Sequence, residues 1–293
     1  MSSLNDWDRL LADRVSAVVV EYHSGDALFG CVESLRTNGV RDIVVVDNSG
    51  TEGPRTDLHD LNATVVVTGV NLGYGRGINR GASMSPRHEF LLVTNPDVVV
   101  HEGAVKLLLS EFDANSALGV IGPTILRTDG TTYPSVRVFP NVLLAALHAV
   151  LSPLWPNNEF SRRYRSPRSD GHIDWVSGAF FVIRRELFER IGGFDERYFM
   201  FGEDMDLCWR AQRAHAQIGT AATAVVTHVE GVSRQRAPRS MLIAHHRGVL
   251  GFEWRTASLS RRVLFPCAVV VVFSRLAAVL LLESWHSWRR GQQ

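Results

Sequence analysis

The chain is poor in the residues that usually mark disulfide-rich, metal-binding or secreted proteins. Its three cysteines, Cys31, Cys208 and Cys267, are far apart, and their spacing fits no metal-binding motif. We therefore expect buried thiols in a reducing compartment. The first fourteen residues hold several acids and no apolar core, which predicts that no secretory signal is present and that the catalytic part is cytoplasmic.

Lysine is nearly absent, since Lys106 is the one lysine among 31 basic residues. The net charge is +1, but residues 231–293 hold ten arginines against two glutamates, which is +8, and residues 1–230 therefore carry −7. The basic region coincides with the most apolar stretch of the chain. This combination predicts contact with an anionic membrane surface, whereas no nucleic-acid partner is expected.

Two common nucleotide-binding motifs are missing as well. The glycines at 73, 75, 77 and 81 do not fit G-x-G-x-x-G in any register, and they follow the third predicted strand rather than the first. The motif G-x-x-x-x-G-K-[ST] does not occur in the sequence. We expect the glycines to let a helix N-terminus approach a phosphate or a ribose closely, or else to form a tight turn with positive φ.

What is present is an alternation of apolar runs and amphipathic segments, typical of a doubly wound, mostly parallel α/β sheet. The predicted strands are 15–20, 42–46, 63–68, 90–94, 119–126, 173–183 and 224–228. The predicted helices are 26–38, 102–113, 141–151, 184–191 and one that starts at Glu203 or Asp204. Residues 153–167 are predicted to form a polar loop. We place one large α/β domain at 1–230 and a basic, apolar helical extension at 231–293.

Carboxylates follow two of the predicted strands. In the segment FLLVTNPDVVV, Pro96 ends the strand pairing and holds Asp97 in a rigid turn, where a carboxylate can bind a hard divalent cation. Asp47 ends the second strand and can accept the N3–H of a uracil or thymine. Ligands of open α/β sheets bind outside the carboxyl ends of the strands, so these positions are candidates for a site. An ordinary polar turn is the alternative at each of them.

A pair of carboxylates, Glu203 and Asp204, stands at the start of a helix. One of them can serve as a general base if it faces a cleft, while the other caps the helix or is solvated. His228 ends the last strand and can complete a hard-metal site with Asp97, although a structural histidine is the common alternative. All these residues are predicted to lie at the same edge of the sheet.

The order of the segments VVVDNSG, NLGYGRGINRG, LLVTNPD and GGFDERYFMFGEDMDLCWR, with a later histidine, resembles the inverting GT-A glycosyltransferases of family 2 over residues 14–235. The resemblance implies that Asp47 binds the pyrimidine of a nucleotide sugar, that Asp97 and His228 bind Mg²⁺ or Mn²⁺, and that Asp204 is the base on the acceptor hydroxyl. Asn95 departs from the family pattern, because it stands at the first position of the metal motif D-x-D. It can reach the sugar or ribose but brings no charge.

Four shorter segments, at 133–135, 148–151, 155–156 and 244–246, resemble the actinobacterial rhamnosyltransferases of cell-wall linker synthesis. This implies transfer of L-rhamnose from dTDP-rhamnose to a polyprenyl-diphosphate-linked N-acetylglucosamine. The alternatives are another donor, such as UDP-galactofuranose or UDP-GlcNAc, and a non-catalytic sugar-nucleotide-binding protein at the membrane surface. A nucleotidylyltransferase is disfavoured, because its glycine-rich activating loop near the N-terminus is missing.

The predicted sites can be stated residue by residue. The donor site comprises Tyr22, Asp47, Asn48, Asn71, Gly73, Arg76, Asn79, Asn95 and Asp97. The acceptor site comprises Trp175, Ser177, Gly178 and Arg247, the last as one of several arginines able to hold the acceptor's diphosphate. Core packing is the alternative for the first three of these.

Residues 263–282 form an apolar stretch long enough to span a bilayer at about 1.5 Å per residue. Arg275 lies inside the stretch, and further arginines flank both of its ends. We expect an interfacial or shallowly inserted helix at the cytoplasmic face of the plasma membrane. A true span, or a helix buried in a core or a homo-oligomer, is the alternative.

Overall fold

A computed structural model describes residue 11 and residues 13–50, 61–139, 141–152, 155–165, 173–229, 238–259, 261–267, 269–271, 273–274 and 277. The strands are β1 (Val15–Glu21), β2 (Asp42–Asp47), β3 (Thr64–Val67), β4 (Phe90–Thr94), β5 (Val98–Val100), β6 (Leu118–Leu126), β7 (Thr132–Tyr133), β8 (Val136–Arg137), β9 (Trp175–Val176), β10 (Phe180–Arg184) and β11 (Gln217–His228). The helices are α1 (Ala27–Thr37), α2 (Tyr74–Met84), α3 (Ala104–Ala114), α4 (Val142–Leu151), α5 (Glu159–Arg165), α6 (Arg185–Arg190), α7 (Glu203–Arg213) and α8 (Pro238–Thr256).

The main sheet has nine strands in the order β3-β2-β1-β4-β10-β6-β11-β5, with β7 paired to β6. The first four strands are parallel, as predicted, and β1 and β4 are completely buried. Such strands read as continuous apolar runs because helices cover both faces of the sheet. Beyond β4 the sheet is mixed, since β10 runs antiparallel to both of its neighbours and β5 runs antiparallel to β11. The prediction of a mostly parallel sheet is therefore correct for one half only.

The prediction of one continuous strand at 173–183 is wrong, because a turn divides this segment into two strands. The Phe180 N–H donates to the Ser177 carbonyl at 3.4 Å, and the Ala179 N–H donates to the Ser177 hydroxyl at 3.3 Å. Before the turn, β9 pairs with β8 in a separate two-stranded sheet. After the turn, β10 joins the main sheet and runs antiparallel to β4 and β6. The segment thus bends at Ser177, and the residues around Gly178 lie in the bend, where they are buried.

Two further sequence predictions need correction. Residues 159–165 form helix α5 rather than a loop, and Asn158 begins it by accepting the Ser161 N–H on its side-chain oxygen at 2.8 Å. The last strand is also longer than predicted, since β11 starts at Gln217 and not at 224. Its first half is weakly apolar, and its pairing with β6 is irregular between Ala221 and Val225.

Helix α2 packs closely on the sheet at two of its glycines. A Cβ on Gly77 would be 2.9 Å from the nearest methyl of Val20, and one on Gly81 would be 2.4 Å from Val18 and 2.8 Å from Val46. Gly77 and Gly81 therefore permit close packing of the helix on the sheet, a role that the sequence pattern did not predict. Gly73, which precedes the helix, has φ = 84°, so the alternative of a turn with positive φ is confirmed at that residue.

The chain divides into two compact units, residues 1–137 with 173–244 and residues 138–172 with 245–293. The predicted domain boundary at residue 230 lies outside the described residues and stays a prediction. Among the described residues, no helix has the length and apolarity needed to cross a membrane, and the predicted segment 263–282 lies only partly within them.

The prediction of buried thiols is confirmed for two of the three cysteines. Cys31 and Cys208 are buried, whereas Cys267 is exposed, so the prediction is wrong for that residue. Burial is the main cause that raises the pKa of both buried thiols to about 12. They are therefore protonated at neutral pH.

The packing of α2 predicts opposite effects for two glycine-to-alanine substitutions. We expect Gly81→Ala to destabilise the fold by about 1–3 kcal/mol, because the new methyl overlaps two valine side chains of the sheet. Gly30→Ala, in α1, meets open space and is expected to be neutral or to stabilise by up to about 1 kcal/mol. Urea unfolding curves measure both free energies, and equal values for the two variants would contradict the packing argument.

Candidate active site

The carboxyl ends of several strands bring the predicted side chains to one edge of the sheet. Asp47 ends β2 and lies opposite Glu21, the last residue of β1, in the parallel register. Asp97 follows β4, and its carbonyl accepts the Val229 N–H at 2.8 Å, directly after β11 ends at His228. The predicted meeting of these strand ends is confirmed.

Asp47 belongs to a buried polar cluster at this edge. It is 2% exposed, and its Oδ1 accepts the Ser49 N–H at 2.9 Å. The Asn48 Nδ2 donates to the Gly73 carbonyl at 3.0 Å, and the Asn71 Oδ1 accepts the Gly73 N–H at 2.9 Å. The start of α2 is therefore fastened to the end of β2. Contact of these residues with a donor stays a prediction.

Three other residues of the predicted donor site have different surroundings. Tyr22 follows β1 and is exposed. The Asn79 Oδ1 accepts the Phe194 N–H at 2.9 Å, and its Nδ2 donates to the Phe194 carbonyl at 2.9 Å. Arg76 is exposed and lies 3.7 Å from the Glu196 carboxylate. The geometry favours a role for Asn79 and Arg76 in holding the loop after α6 against α2, and donor contact by them is untested.

Asp97 and His228 form the pair predicted to hold a metal ion. The Asp97 Oδ1 lies 3.0 Å from the His228 Nε2, and the Asn95 Nδ2 lies 3.4 Å from the same nitrogen. The described residues contain no group of three or more His, Cys, Asp and Glu side chains suited to a metal. One carboxylate and one imidazole still fit Mg²⁺ or Mn²⁺ where a diphosphate and water supply the remaining ligands.

Asp204, in the first turn of α7, is held by backbone N–H groups. Its Oδ2 accepts the Gly178 N–H at 3.0 Å, and its Oδ1 accepts the Met205 N–H at 2.9 Å. The Tyr74 hydroxyl donates to the Gly178 carbonyl at 2.5 Å, so one residue, Gly178, links α2 to the carboxylate. Burial raises the pKa of Asp204, and the two N–H groups oppose that rise because they stabilise the anion.

Glu203 is buried, so the alternative that this second carboxylate is solvated is wrong, and the alternative that it caps the helix stays a prediction. It is 6% exposed, and its Oε2 has no hydrogen-bond partner among the described residues. Burial, followed by the charge of Asp204, raises the pKa of Glu203 to about 8. At neutral pH, Asp204 is therefore the better candidate for an ionised base, and Glu203 is mostly neutral.

The predicted acceptor residues fall into two groups. Trp175, Ser177 and Gly178 lie together on β9 and the turn that follows it, and all three are buried. A Cβ on Gly178 would lie 3.3 Å from the Asp204 Cβ, so this glycine permits the close approach of the turn to the base. Arg247 is exposed on the part of α8 that belongs to the second unit. Acceptor binding by all four stays a prediction.

The raised pKa of Glu203 predicts how stability depends on pH. Between its ordinary value of 4.5 and about 8, the folded protein keeps a proton that the unfolded chain has released, so rising pH costs stability. Glu203→Gln removes this loss because the amide is neutral throughout. We expect the melting temperature of the variant, relative to the wild type, to rise between pH 6 and pH 9.

Glu186→Gln is the matched control for this measurement, since Glu186 is exposed in the first turn of α6. Its melting temperature relative to the wild type is expected to stay constant over the same pH range. A Glu203→Gln difference that is equally flat would show that the carboxyl is ionised in the folded protein at pH 6.

Comparison with known proteins identifies the family to which the chain is similar. The family model described as "Glycosyl transferase family 2" matches residues 16–192, and one described as "N-terminal domain of galactosyltransferase" matches residues 158–232. The chain is 35% identical over 259 residues to an N-acetylglucosaminyl-diphospho-decaprenol L-rhamnosyltransferase of Mycobacterium tuberculosis, covering 83% of this chain and 84% of the relative. It is 30% identical over 136 residues to the rhamnosyltransferase WbbL of Escherichia coli, covering 44% and 48% of the two chains.

Solved structures show the same fold at lower identity. The mannosyltransferase PcManGT of Pyrobaculum calidifontis, in complex with GDP-Man and Mn²⁺, matches 94% of this chain and 80% of its own with a TM-score of 0.56 and 16% identity. GalNAc-T7 with UDP, GalNAc and Mn²⁺ matches 75% of this chain and 43% of its own, also with a TM-score of 0.56. With the family match covering more than half of the sequence, the chain belongs to glycosyl transferase family 2 and has the mixed α/β fold of the GT-A glycosyltransferases.

Proposed function

We propose that this enzyme transfers L-rhamnose from dTDP-L-rhamnose to an N-acetylglucosaminyl-diphospho-polyprenol, with inversion at the anomeric carbon. The similarity to the mycobacterial rhamnosyltransferase, over more than four-fifths of both chains, supports the sugar and the acceptor. The observation that carries the proposal is the Asp204 carboxylate, which two backbone N–H groups hold beside the residues of the sheet edge.

The proposed reaction is a single displacement. The acceptor hydroxyl oxygen forms a bond to the anomeric carbon while the bond from that carbon to the β-phosphate oxygen breaks, and dTDP leaves. Asp204 accepts the hydroxyl proton, which contributes about 10²–10⁴-fold to the rate. Asp47 would bind the pyrimidine, and Asn95 the sugar or ribose. Asp97 and His228 would hold a divalent cation, which, when bound, stabilises the negative charge on a diphosphate.

The base assignment can be tested with two neutral, nearly isosteric variants of adjacent residues. We expect Asp204→Asn to lower kcat by at least about 10²-fold while dTDP affinity changes by less than about twofold, because the proton acceptor is lost and the donor side is untouched. Glu203→Gln is expected to keep most of its activity at pH 7, since that carboxyl is already mostly neutral. The assay uses synthetic farnesyl-diphospho-GlcNAc with dTDP-rhamnose, UDP-galactofuranose and UDP-GlcNAc, each with Mn²⁺ or Mg²⁺.

Each outcome of this assay has a definite meaning. If only a UDP sugar is turned over, the assignment of Asp204 as base stands, and the proposed donor dTDP-rhamnose is replaced by that sugar nucleotide. If Glu203→Gln loses activity and Asp204→Asn keeps it, Glu203 is the base and Asp204 is not. Metal-dependent binding of dTDP without transfer from any donor would favour the non-catalytic binding protein.

We also propose that the second unit binds the membrane surface, where a polyprenyl-linked acceptor resides. In this unit, Phe265 and Val269 pack against Leu250, while apolar side chains nearby remain exposed. The exposed fractions are 82% for Leu259, 74% for Val263 and 64% for Val270. Apolar surface of this kind beside arginines suits the interface of an anionic bilayer.

Vesicle flotation tests this membrane proposal. We expect the wild type to float with vesicles containing phosphatidylglycerol and the double variant Val263→Glu, Val270→Glu to lose at least half of that binding, because charge replaces apolar contact. Leu107→Glu, on an exposed helical position of the first unit, is the control and is expected to float like the wild type. Equal flotation of all three proteins would contradict the proposal that this apolar surface binds the membrane.

A further inference from the structure

A guanidinium beside the proposed base is held in place by two rings and two hydrogen bonds. Arg137 ends β8, and its guanidinium carbon lies 5.3 Å from the ring centroid of Trp175 and 5.6 Å from that of Tyr133. Its Nε donates to the Pro134 carbonyl at 2.7 Å, and its Nη2 donates to the Tyr133 hydroxyl at 3.4 Å. The charged group is therefore pre-organised, which reduces the entropy lost on ligand binding.

Neighbouring residues connect this guanidinium both to the predicted metal-binding pair, Asp97 and His228, and to the proposed base, Asp204. The Tyr133 ring lies edge-on to the His228 imidazole, with centroids 6.0 Å apart, and His228 contacts Asp97. On the other side, Arg137 pairs with Trp175 in the register of β8 and β9, and the chain continues from there to Gly178 and Asp204. Burial raises the pKa of Asp204, and the charge of Arg137 opposes that rise.

The hydrogen-bonding capacity of Arg137 is only partly used. A guanidinium has five N–H donors, and the two bonds to Pro134 and Tyr133 occupy two of them. Within the described part of the chain, no carboxylate lies within ion-pair distance of it. A planar cation with several unused donors matches the oxygens of a phosphate, which it can bind in a bidentate manner.

We propose that Arg137 binds a diphosphate group of a reactant at this site. The inference rests on the proposed function, in which two reactants carry such a group: the nucleotide of the donor and the polyprenyl diphosphate of the acceptor. Both present the same oxygens to the guanidinium. The aromatic pair fixes the direction of the cation, and the unused N–H groups supply the contacts.

The test compares Arg137→Gln with the matched control Arg127→Gln. The Arg127 guanidinium lies over the same Tyr133 ring at 5.3 Å, so the control also removes a cation stacked on that tyrosine. Binding of dTDP, of farnesyl-diphospho-GlcNAc and of the uncharged octyl β-GlcNAc is measured by titration, without any need for turnover. We expect Arg137→Gln to weaken the binding of one of the two diphosphate ligands by about 10- to 100-fold, because a charge-assisted contact is lost.

The pattern of losses identifies the source of the phosphate. Weaker binding of farnesyl-diphospho-GlcNAc with unchanged dTDP and octyl β-GlcNAc assigns Arg137 to the acceptor, and the reverse assigns it to the donor nucleotide. Arg137→Lys, which keeps the charge, is expected to recover part of the affinity. Equal losses in the two glutamine variants, or unchanged affinity for both diphosphates, would overturn the proposal.

The same titrations separate this inference from the proposed function. A wild type that binds farnesyl-diphospho-GlcNAc or dTDP but transfers no sugar contradicts the proposed reaction, while the comparison of Arg137→Gln with Arg127→Gln still decides the role of the arginine.

Discussion

The hydrogen bond from the Gly178 N–H to the Asp204 carboxylate is the interaction on which the site depends. Burial raises the pKa of Asp204, and this bond offsets part of that cost. The absence of a side chain at residue 178 eases this approach, since a Cβ there would lie 3.3 Å from the Asp204 Cβ. The carbonyl of the same residue accepts a hydrogen bond from the Tyr74 hydroxyl. A single residue, Gly178, therefore joins the glycine-rich helix to the base.

The neighbouring carboxylates show how such a bond assigns roles. Asp204 receives two backbone N–H groups, whereas one oxygen of Glu203 receives no hydrogen bond from any described residue. Backbone N–H groups therefore stabilise the anion of Asp204, whereas burial keeps Glu203 mostly neutral at pH 7, so Asp204 is the better candidate for the base. The Glu-Asp order in the sequence does not reveal this difference, because burial depends on how α7 packs.

The sequence predicted those parts of the molecule that depend on local pattern. Apolar runs located β1, β2 and β4, and the rule that parallel strands end at one edge correctly placed Asp47, Asp97 and His228 at the same edge of the sheet. The direction of β10 was not predictable, because an apolar run looks the same in either direction. The turn at Ser177 that reverses the chain depends on a side chain that accepts a backbone N–H, and neither periodicity nor composition shows such a bond. The placement of Arg137 against Trp175 was missed for a related reason, since it arises from strands 38 residues apart.

The burial of two cysteines has a practical consequence for labelling. Cys31 and Cys208 are protonated and inaccessible in the first unit, while Cys267 is exposed in the second. Thiol reagents such as maleimides react with accessible thiolates, so the native chain already carries a single attachment point for a fluorophore. That point lies within the apolar residues that we place at the lipid interface, where an environment-sensitive dye would report the transfer from water to bilayer without any engineered substitution.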